Sequence, residues 1–227
     1  MFKLFVFIII HIYSFSQPSF SKINENFIKI NNQIYELKEG DIFFQDLDSS
    51  PLCDAIEKVT QGVNNQKFSH VGIFIVENAD FYILEAFTNG VELIKIEDFL
   101  KRSINTDAEP KVIIGRLKPK YHNLIQPALK KGKELLGKQY DELFIIGNDK
   151  YYCSELIYEM FLNPNHKLFE LNPMTFKDPD SKQFMRIWID YFNNLSSDIP
   201  EGMLGLNPGS ISLSENIDII YDLEKNR

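Results

Sequence analysis

Phe68-Ser69-His70-Val71-Gly72-Ile73-Phe74-Ile75-Val76, followed after Glu77-Asn78-Ala79-Asp80 by Phe81-Tyr82-Ile83-Leu84-Glu85-Ala86-Phe87, is the stretch on which the fold turns. Both runs are β-branched and aromatic, and the polar tetrapeptide between them suits a tight reversal, so together they predict a β-hairpin. Neighbouring runs extend it. Ile42-Phe43-Phe44-Gln45 reads as a short strand after the Gly40-Asp41 turn, residues 91–96 alternate apolar and polar, and residues 111–117 form a further strand. Four or five strands in such close succession imply an antiparallel sheet, because parallel neighbours need long crossovers.

Helical patterns surround these strands. Ser49-Ser50-Pro51 caps a helix running to about Thr60, with Leu52, Ala55, Ile56 and Val59 on one face. Residues 125–136 carry Ile125, Leu129, Leu135 and Leu136 at helical spacing and stop at Gly137. A second helix starts near Cys153, presents Leu156, Ile157, Met160 and Phe161 on one face, and ends before Asn163-Pro164. Residues 180–193 predict a third, residues 202–209 are turn-rich, and residues 217–223 suit a closing strand. Residues 22–32 read only as a polar stretch rich in Asn and Lys. The pattern is α+β. No repeat or linker composition divides the chain, and its 227 residues suffice for one core.

Composition removes several functions. The formal net charge is -8, and no basic cluster longer than Lys130-Lys131 is present to track a phosphate backbone, which argues against a nucleic-acid partner. Cys53 and Cys153 are the only cysteines, too few for a disulfide scaffold or a four-thiolate zinc site. At the N-terminus, Met1-Phe2-Lys3 leads into the apolar run Leu-Phe-Val-Phe-Ile-Ile-Ile-His-Ile-Tyr (residues 4–13). That run rises only about 15 Å as a helix, half of a bilayer's hydrocarbon core, so it predicts a signal peptide rather than a membrane span. Ser14-Phe15-Ser16 supplies the small-x-small cleavage pattern, giving a signal peptide over residues 1–16 and a single mature domain over residues 17–227. Export to the periplasm or the cell exterior follows, with no stable membrane span after cleavage.

Three residues are candidates for chemistry. A nucleophilic cysteine needs its thiolate, and a free thiol is only a few per cent ionised near neutral pH, about 3%. Cys153 opens an amphipathic helix, where the backbone N–H groups favour negative charge, yet a buried apolar-face thiol would look the same in sequence. His11 falls within the signal peptide, and His122 and His166 lie in polar stretches, whereas His70 opens an apolar strand. It is either a core imidazole bonded to a backbone carbonyl or a base at a sheet end. Glu85 lies inside the next apolar strand, where an ionised carboxylate is costly without a partner. A two-residue turn at Glu77-Asn78 would set Glu85 directly across from His70; a turn one position later moves them to a diagonal or to opposite faces. A Cys53–Cys153 disulfide is the competing use of the two cysteines in an oxidising compartment.

At these residues the sequence resembles the permuted papain-like hydrolases of the YiiX/YaeF type, circularly rearranged relatives of the NlpC-type cell-wall peptidases. The blocks that carry the resemblance are Gly40-Asp41-Ile42-Phe43-Phe44-Gln45, Phe68-Ser69-His70-Val71-Gly72-Ile73, Leu84-Glu85-Ala86, Gly137-Lys138-Gln139-Tyr140-Asp141 and Tyr152-Cys153-Ser154-Glu155-Leu156, with a weaker match at Asn207-Pro208-Gly209-Ser210. The resemblance implies a circularly permuted papain-like (NlpC-type) α+β fold, in which an antiparallel sheet packs against the helix carrying the Cys nucleophile. It implies that Cys153 is the nucleophile, His70 the general base and acid, and Glu85 the residue that orients the imidazole. Tyr140 would line the site and bind the oxyanion together with the backbone N–H of Cys153, and Cys53 would be a core thiol. No metal and no organic cofactor is implied. The implied activity is hydrolysis of an amide, with a peptidoglycan stem peptide or another acyl amide of the cell envelope as substrate. A lipid amidase, thioesterase or acyltransferase of the same superfold, and a non-catalytic module binding an envelope ligand in the same groove, are the alternatives. Residues 163–200 match nothing in this pattern.

Overall fold

A computed structural model describes residues 17–163 and 167–225; the expected signal sequence over residues 1–16 lies outside the described residues, as does His166. Strand β4 (Ile42–Gln45) is buried at every position, as expected of the middle of a sheet covered on both faces. Around it runs a six-stranded sheet in the order β11-β8-β4-β5-β6-β7, built with β5 (His70–Glu77), β6 (Asp80–Phe87), β7 (Gly90–Lys95), β8 (Val112–Leu117) and β11 (Ile217–Asp222). Every pairing in it is antiparallel. The sequence anticipated this sheet, with one strand more than its runs first suggest.

The β5–β6 hairpin turns at Asn78-Ala79, one position later than a turn at Glu77-Asn78, with Glu77 paired to Asp80. Asn78 and Ala79 both adopt positive φ, 50° and 61°, the geometry whose twist joins two adjacent strands by a two-residue loop. This one-position shift decides how His70 meets Glu85.

Alternation sends successive side chains to opposite faces, so two cores form. On one face Ile42, Phe44, Val71, Ile73, Leu84 and Ala86 pack against α3 (Ile125–Glu134) and α4 (Cys153–Phe161). On the other, Phe43, Phe74 and Ile83 meet α2 (Ile96–Lys101) and a small antiparallel sheet of β1 (Phe20–Lys22), β2 (Phe27–Ile30) and β3 (Gln33–Glu36). The stretch read as merely polar thus contributes Ile28 and Ile30 to a core, joined there by Tyr35 of the adjoining β3; Asn31, at φ 52°, makes the turn between β2 and β3. Helix α1 (Pro51–Val59) begins where expected, its N-cap Ser50 accepting from the Cys53 N–H. Beside it, α5 (Arg186–Asn194) closes a third, aromatic cluster of Ala55, Phe176, Trp188 and Phe192.

Helix α5 is shorter than its sequence pattern: residues 180–185 stay outside it. Lys182 takes a positive φ of 59°, and Lys177 bridges to Phe184, so the chain there doubles back before the helix begins. A two-stranded ribbon of β9 (Asn172–Pro173) and β10 (Leu204–Gly205), with the short α6 (Pro208–Ser212), occupies the turn-rich region. Both cysteines are free and buried; Cys53 Sγ lies 3.4 Å from Ser49 Oγ.

The start of β7 anchors the segment that leads to Tyr140. Val91 N–H donates to the Lys138 carbonyl at 2.8 Å and Gly137 N–H donates to the Val91 carbonyl at 2.9 Å. Gly90 sits at φ +101°, and a Cβ there would fall 2.2 Å from the Lys138 oxygen. Gly90→Ala is therefore expected to lower unfolding stability by about 1–3 kcal/mol, measured by urea denaturation, because both the backbone angle and the close approach favour glycine.

Candidate active site

Helix α4 starts at Cys153 because Tyr152 turns the chain in with extended geometry, φ -90° and ψ 169°, and offers no side-chain cap to the first turn. The N–H groups of that turn and the positive end of the helix dipole therefore face the Cys153 sulfur. Tyr152 is itself pinned: its hydroxyl accepts from the Leu206 N–H at 3.1 Å. Cys153 Sγ lies 3.7 Å from Ser154 Oγ, and the His70 imidazole and the Val71 backbone lie near enough to favour its charged form.

His70 is the first residue of β5, on the face opposite Val71, with its ring between Phe87 and Phe99 at centroid distances of 5.0 and 5.8 Å. Its position at the strand end lets the ring reach a thiol that belongs to the other core. Nε2 meets Glu85 Oε2 at 2.6 Å, which leaves Nδ1 for the sulfur. Glu85 is not directly across from His70. The register continues past Ile73–Leu84 to place Glu85 beside Gly72, one diagonal step away on the same face. Gly72 keeps that corner open, since a Cβ there would fall 2.3 Å from Ile83 Cγ2 and 3.4 Å from Glu85 Cβ.

Glu85 has no exposed surface. Its second partner, which the sequence reading missed, is Arg102, directly after α2. Arg102 Nη1 donates to Oε2 at 2.8 Å and Nη2 to Oε1 at 2.5 Å, and the guanidinium stacks over the Phe87 ring at 4.3 Å. The available signal was only that a buried Glu needs a cation; nothing in the residues from Glu85 to Arg102 singles out this one.

Charge is distributed accordingly. Burial pushes the Glu85 carboxyl up, but His70 and Arg102 outweigh it and hold the carboxyl below its ordinary value. Burial alone would lower His70; its bonds to Cys153 and Glu85 reverse this and raise it to about 9. Burial pushes the Cys153 thiol up, and the His70 imidazole brings it below its ordinary value. The three groups thus favour thiolate, imidazolium and carboxylate together.

Tyr140 lies in the bridge it forms with Tyr151 and shares a cavity wall with Cys153. Burial, and next the charge of Cys153, raise its phenol well above its ordinary value, so it stays a hydrogen-bond donor. The cavity holds about 120 Å³ and includes Ser69, Cys153 and Ser154 in its walls but neither His70 nor Glu85. Residues 173–176 and Trp188, from the stretch that matched no pattern, form much of its roof. Ser69 is fixed by donating to Glu57 Oε1 at 2.7 Å, where burial raises the carboxyl to about 7. The remaining described histidine, His122, contacts the Leu117 carbonyl at 2.9 Å, away from these groups.

The fold thus brings together a buried thiol at a helix start, an imidazole at a strand end and a carboxylate behind it. Residues 36–221 match the family of permuted papain-like amidase enzymes, YaeF/YiiX, C92, and the chain belongs to that family. It is 29% identical over 134 residues to the uncharacterized protein YiiX of Escherichia coli K12, a match covering 57% of this chain and 59% of that one. It also superposes with a TM-score of 0.66 on a crystal structure described as metalloprotein yiiX from Escherichia coli O157:H7, at 20% identity over 82% of this chain and 97% of the other.

Removing Arg102 would leave a buried carboxylate half satisfied. Arg102→Met is expected to cost about 3 kcal/mol of stability, with Arg102→Lys intermediate because a lysine cannot make both bonds at once; urea unfolding of the two variants measures the difference.

Proposed function

We propose that the chain is an exported cysteine hydrolase that cleaves an amide bond, with residues 1–16 as its signal peptide and residues 17–227 as one permuted papain-like domain. The observation that carries this reading is the His70 imidazole, held on one nitrogen by Glu85 and set beside the buried Cys153 thiol, whose ionised form it favours. In the proposed reaction the Cys153 thiolate attacks the carbonyl carbon. The oxyanion is held by the Cys153 N–H and the Tyr140 hydroxyl. The His70 imidazolium gives its proton to the departing amine, and the neutral ring then takes a proton from water as that water releases the acyl group from sulfur. Glu85 keeps the ring oriented and favours its charged form. The His-bearing strand precedes the Cys-bearing helix in the chain, the order expected of a permuted papain-like protein.

The substrate proposed is a peptidoglycan stem peptide or another acyl amide of the cell envelope, which suits the leader-like N-terminus. The metal in the name of the structural relative has no matching donor set here: among the described residues no three His, Cys, Asp or Glu side chains cluster to hold one.

Two measurements test the reading. With its thiol lowered and His70 raised to about 9, Cys153 stays ionised below the pH at which a free thiol protonates, so at about pH 6.5 iodoacetamide should label it faster than an unfolded control thiol. Labelling no faster than the control overturns the activated-nucleophile claim. Purified muropeptides and acylated lipids, each compared with Cys153→Ala, then report the substrate: cleavage of lipids alone sinks the peptide reading, and cleavage of neither points to a binding module.

Glu85→Gln should slow turnover about 10²–10⁴-fold with the fold retained, because an amide can bond to the ring but cannot stabilise imidazolium. Unchanged activity removes Glu85 from the mechanism.

A further inference from the structure

The cavity beside Cys153 has a composition unlike the rest of the site. Apart from the Cys153 thiolate itself, none of the side chains that line it is charged, and Val59, Phe144, Met174, Phe176, Trp188 and Leu206 make up much of its wall. A charged substrate group placed there would lose its water without gaining a partner, whereas an apolar group would shed water from its whole surface. Size restricts it further. A cavity of about 150 Å³ holds a benzene molecule, so the roughly 120 Å³ of this half-open pocket takes about four to six heavy atoms, and a longer chain would have to extend out of it. That is a leucine-like side chain or a butyryl group. A fatty acyl tail has several times that volume.

The surroundings agree with a selective pocket rather than an open channel. Beyond Val59, Thr60 and Thr175 the surface becomes a polar groove lined by Lys67, Lys177, Asp178 and Glu201, so charged parts of a substrate have a place outside the pocket and none within it. Trp188 and Phe176 are fixed edge-to-face at 5.0 Å and almost fully buried, which keeps the far wall from yielding to a longer chain. Met174, at the half-exposed mouth, is the flexible member.

We infer that this pocket receives a short, neutral, apolar group on the acyl side of the scissile bond, so that the enzyme acts on amides of small apolar acyl or aminoacyl groups and not on long-chain lipids or acidic residues. The inference rests on the cysteine-hydrolase reading above and narrows its substrate class. Cys153 belongs to the same wall, so the group bonded through carbonyl carbon to its sulfur points into the pocket. The carbon–sulfur bond forms as the bond to the leaving group breaks, and water later replaces sulfur.

Activated esters test this without knowledge of the natural amide, since release of 4-nitrophenol reports acylation. The probes are the 4-nitrophenyl esters of N-acetylleucine, N-acetylglutamate, butyrate and decanoate, with Cys153→Ala subtracted and the acyl thioester located by mass spectrometry. The expected result is kcat/KM at least about tenfold higher for leucyl over glutamyl and for butyryl over decanoyl. Met174→Ala should raise decanoyl relative to butyryl while iodoacetamide labelling of Cys153 is unchanged; Trp188→Ala should do so more strongly, provided near-UV circular dichroism shows the wild-type fold. Equal rates within either pair, or a reversed order, overturn the inference. If Cys153 alkylates rapidly but none of the esters acylates it, the pocket inference fails and the nucleophile reading stands; if Cys153 does neither, the nucleophile reading itself fails.

Discussion

A carboxylate with no contact to water, set in the middle of an apolar strand, has to be met on every side by donors and positive charge, or the strand cannot stay where it is. Glu85 is in that position, and His70 and Arg102 between them supply three hydrogen bonds. Each of those partners fixes a different part of the molecule. His70 ties the start of β5 to β6 across a diagonal, and a slip of one residue in that hairpin would turn Glu85 toward the helices and away from both partners. Arg102 ties the end of α2 to the sheet, its guanidinium lying over the Phe87 ring of β6 and near the ring of Phe99 within α2 itself. The imidazole held in this way can present only its other nitrogen, and it presents it to Cys153.

The thiol needs that arrangement because its own surroundings work against ionisation. Cys153 is buried, and burial by itself would keep the proton on sulfur. The imidazole opposes it first, then the Ser154 hydroxyl and the Val71 backbone, and the uncapped first turn of α4 favours negative charge at the same place. Only the imidazole carries a full charge, and it carries it because Glu85 lies behind it. The carboxylate therefore acts on the sulfur through one intervening ring, and the low dielectric of the sheet interior strengthens both links.

Much of this was legible in the sequence, and the exceptions have physical causes. The apolar runs fixed strands β4 to β8, and Ser50-Pro51 and Gly137 marked helix ends, because those signals depend only on neighbouring residues. The His70–Glu85 pairing was visible as a possibility but not as a geometry: one residue in the hairpin turn separates opposite from diagonal, and Asn78-Ala79 is not a turn that composition predicts, since Ala79 at positive φ has no glycine-like signature. Arg102 could not be read at all. Its role arises from the path of α2, a helix that begins at Ile96, where the strand pattern of residues 91–96 ends, and that no pattern in the following residues announced. Residues 22–32 were misjudged because their apolar positions are few and become a core only against the sheet. The start of α5 was misplaced because helical spacing in residues 180–185 yields to a backbone reversal at Lys182.

The site also divides along the strand that carries His70. The relay of Arg102, Glu85 and His70 lies on the face shared with Phe99, while Cys153 and its cavity lie on the face of the helices and the aromatic roof. The two meet only where β5 begins, since a ring at the first position of a strand can reach past its end and one further along cannot. Such a division lets the two parts obey different demands. The relay requires fixed distances and exclusion of water, which a sheet interior provides. The cavity requires a shape suited to a substrate, and its roof comes from residues 173–176 and Trp188, outside the sheet altogether. On the proposed hydrolase reading, substitutions in that roof would change what fits against the thiol without altering the bonds to Glu85, so selectivity would change while the charged relay stays the same.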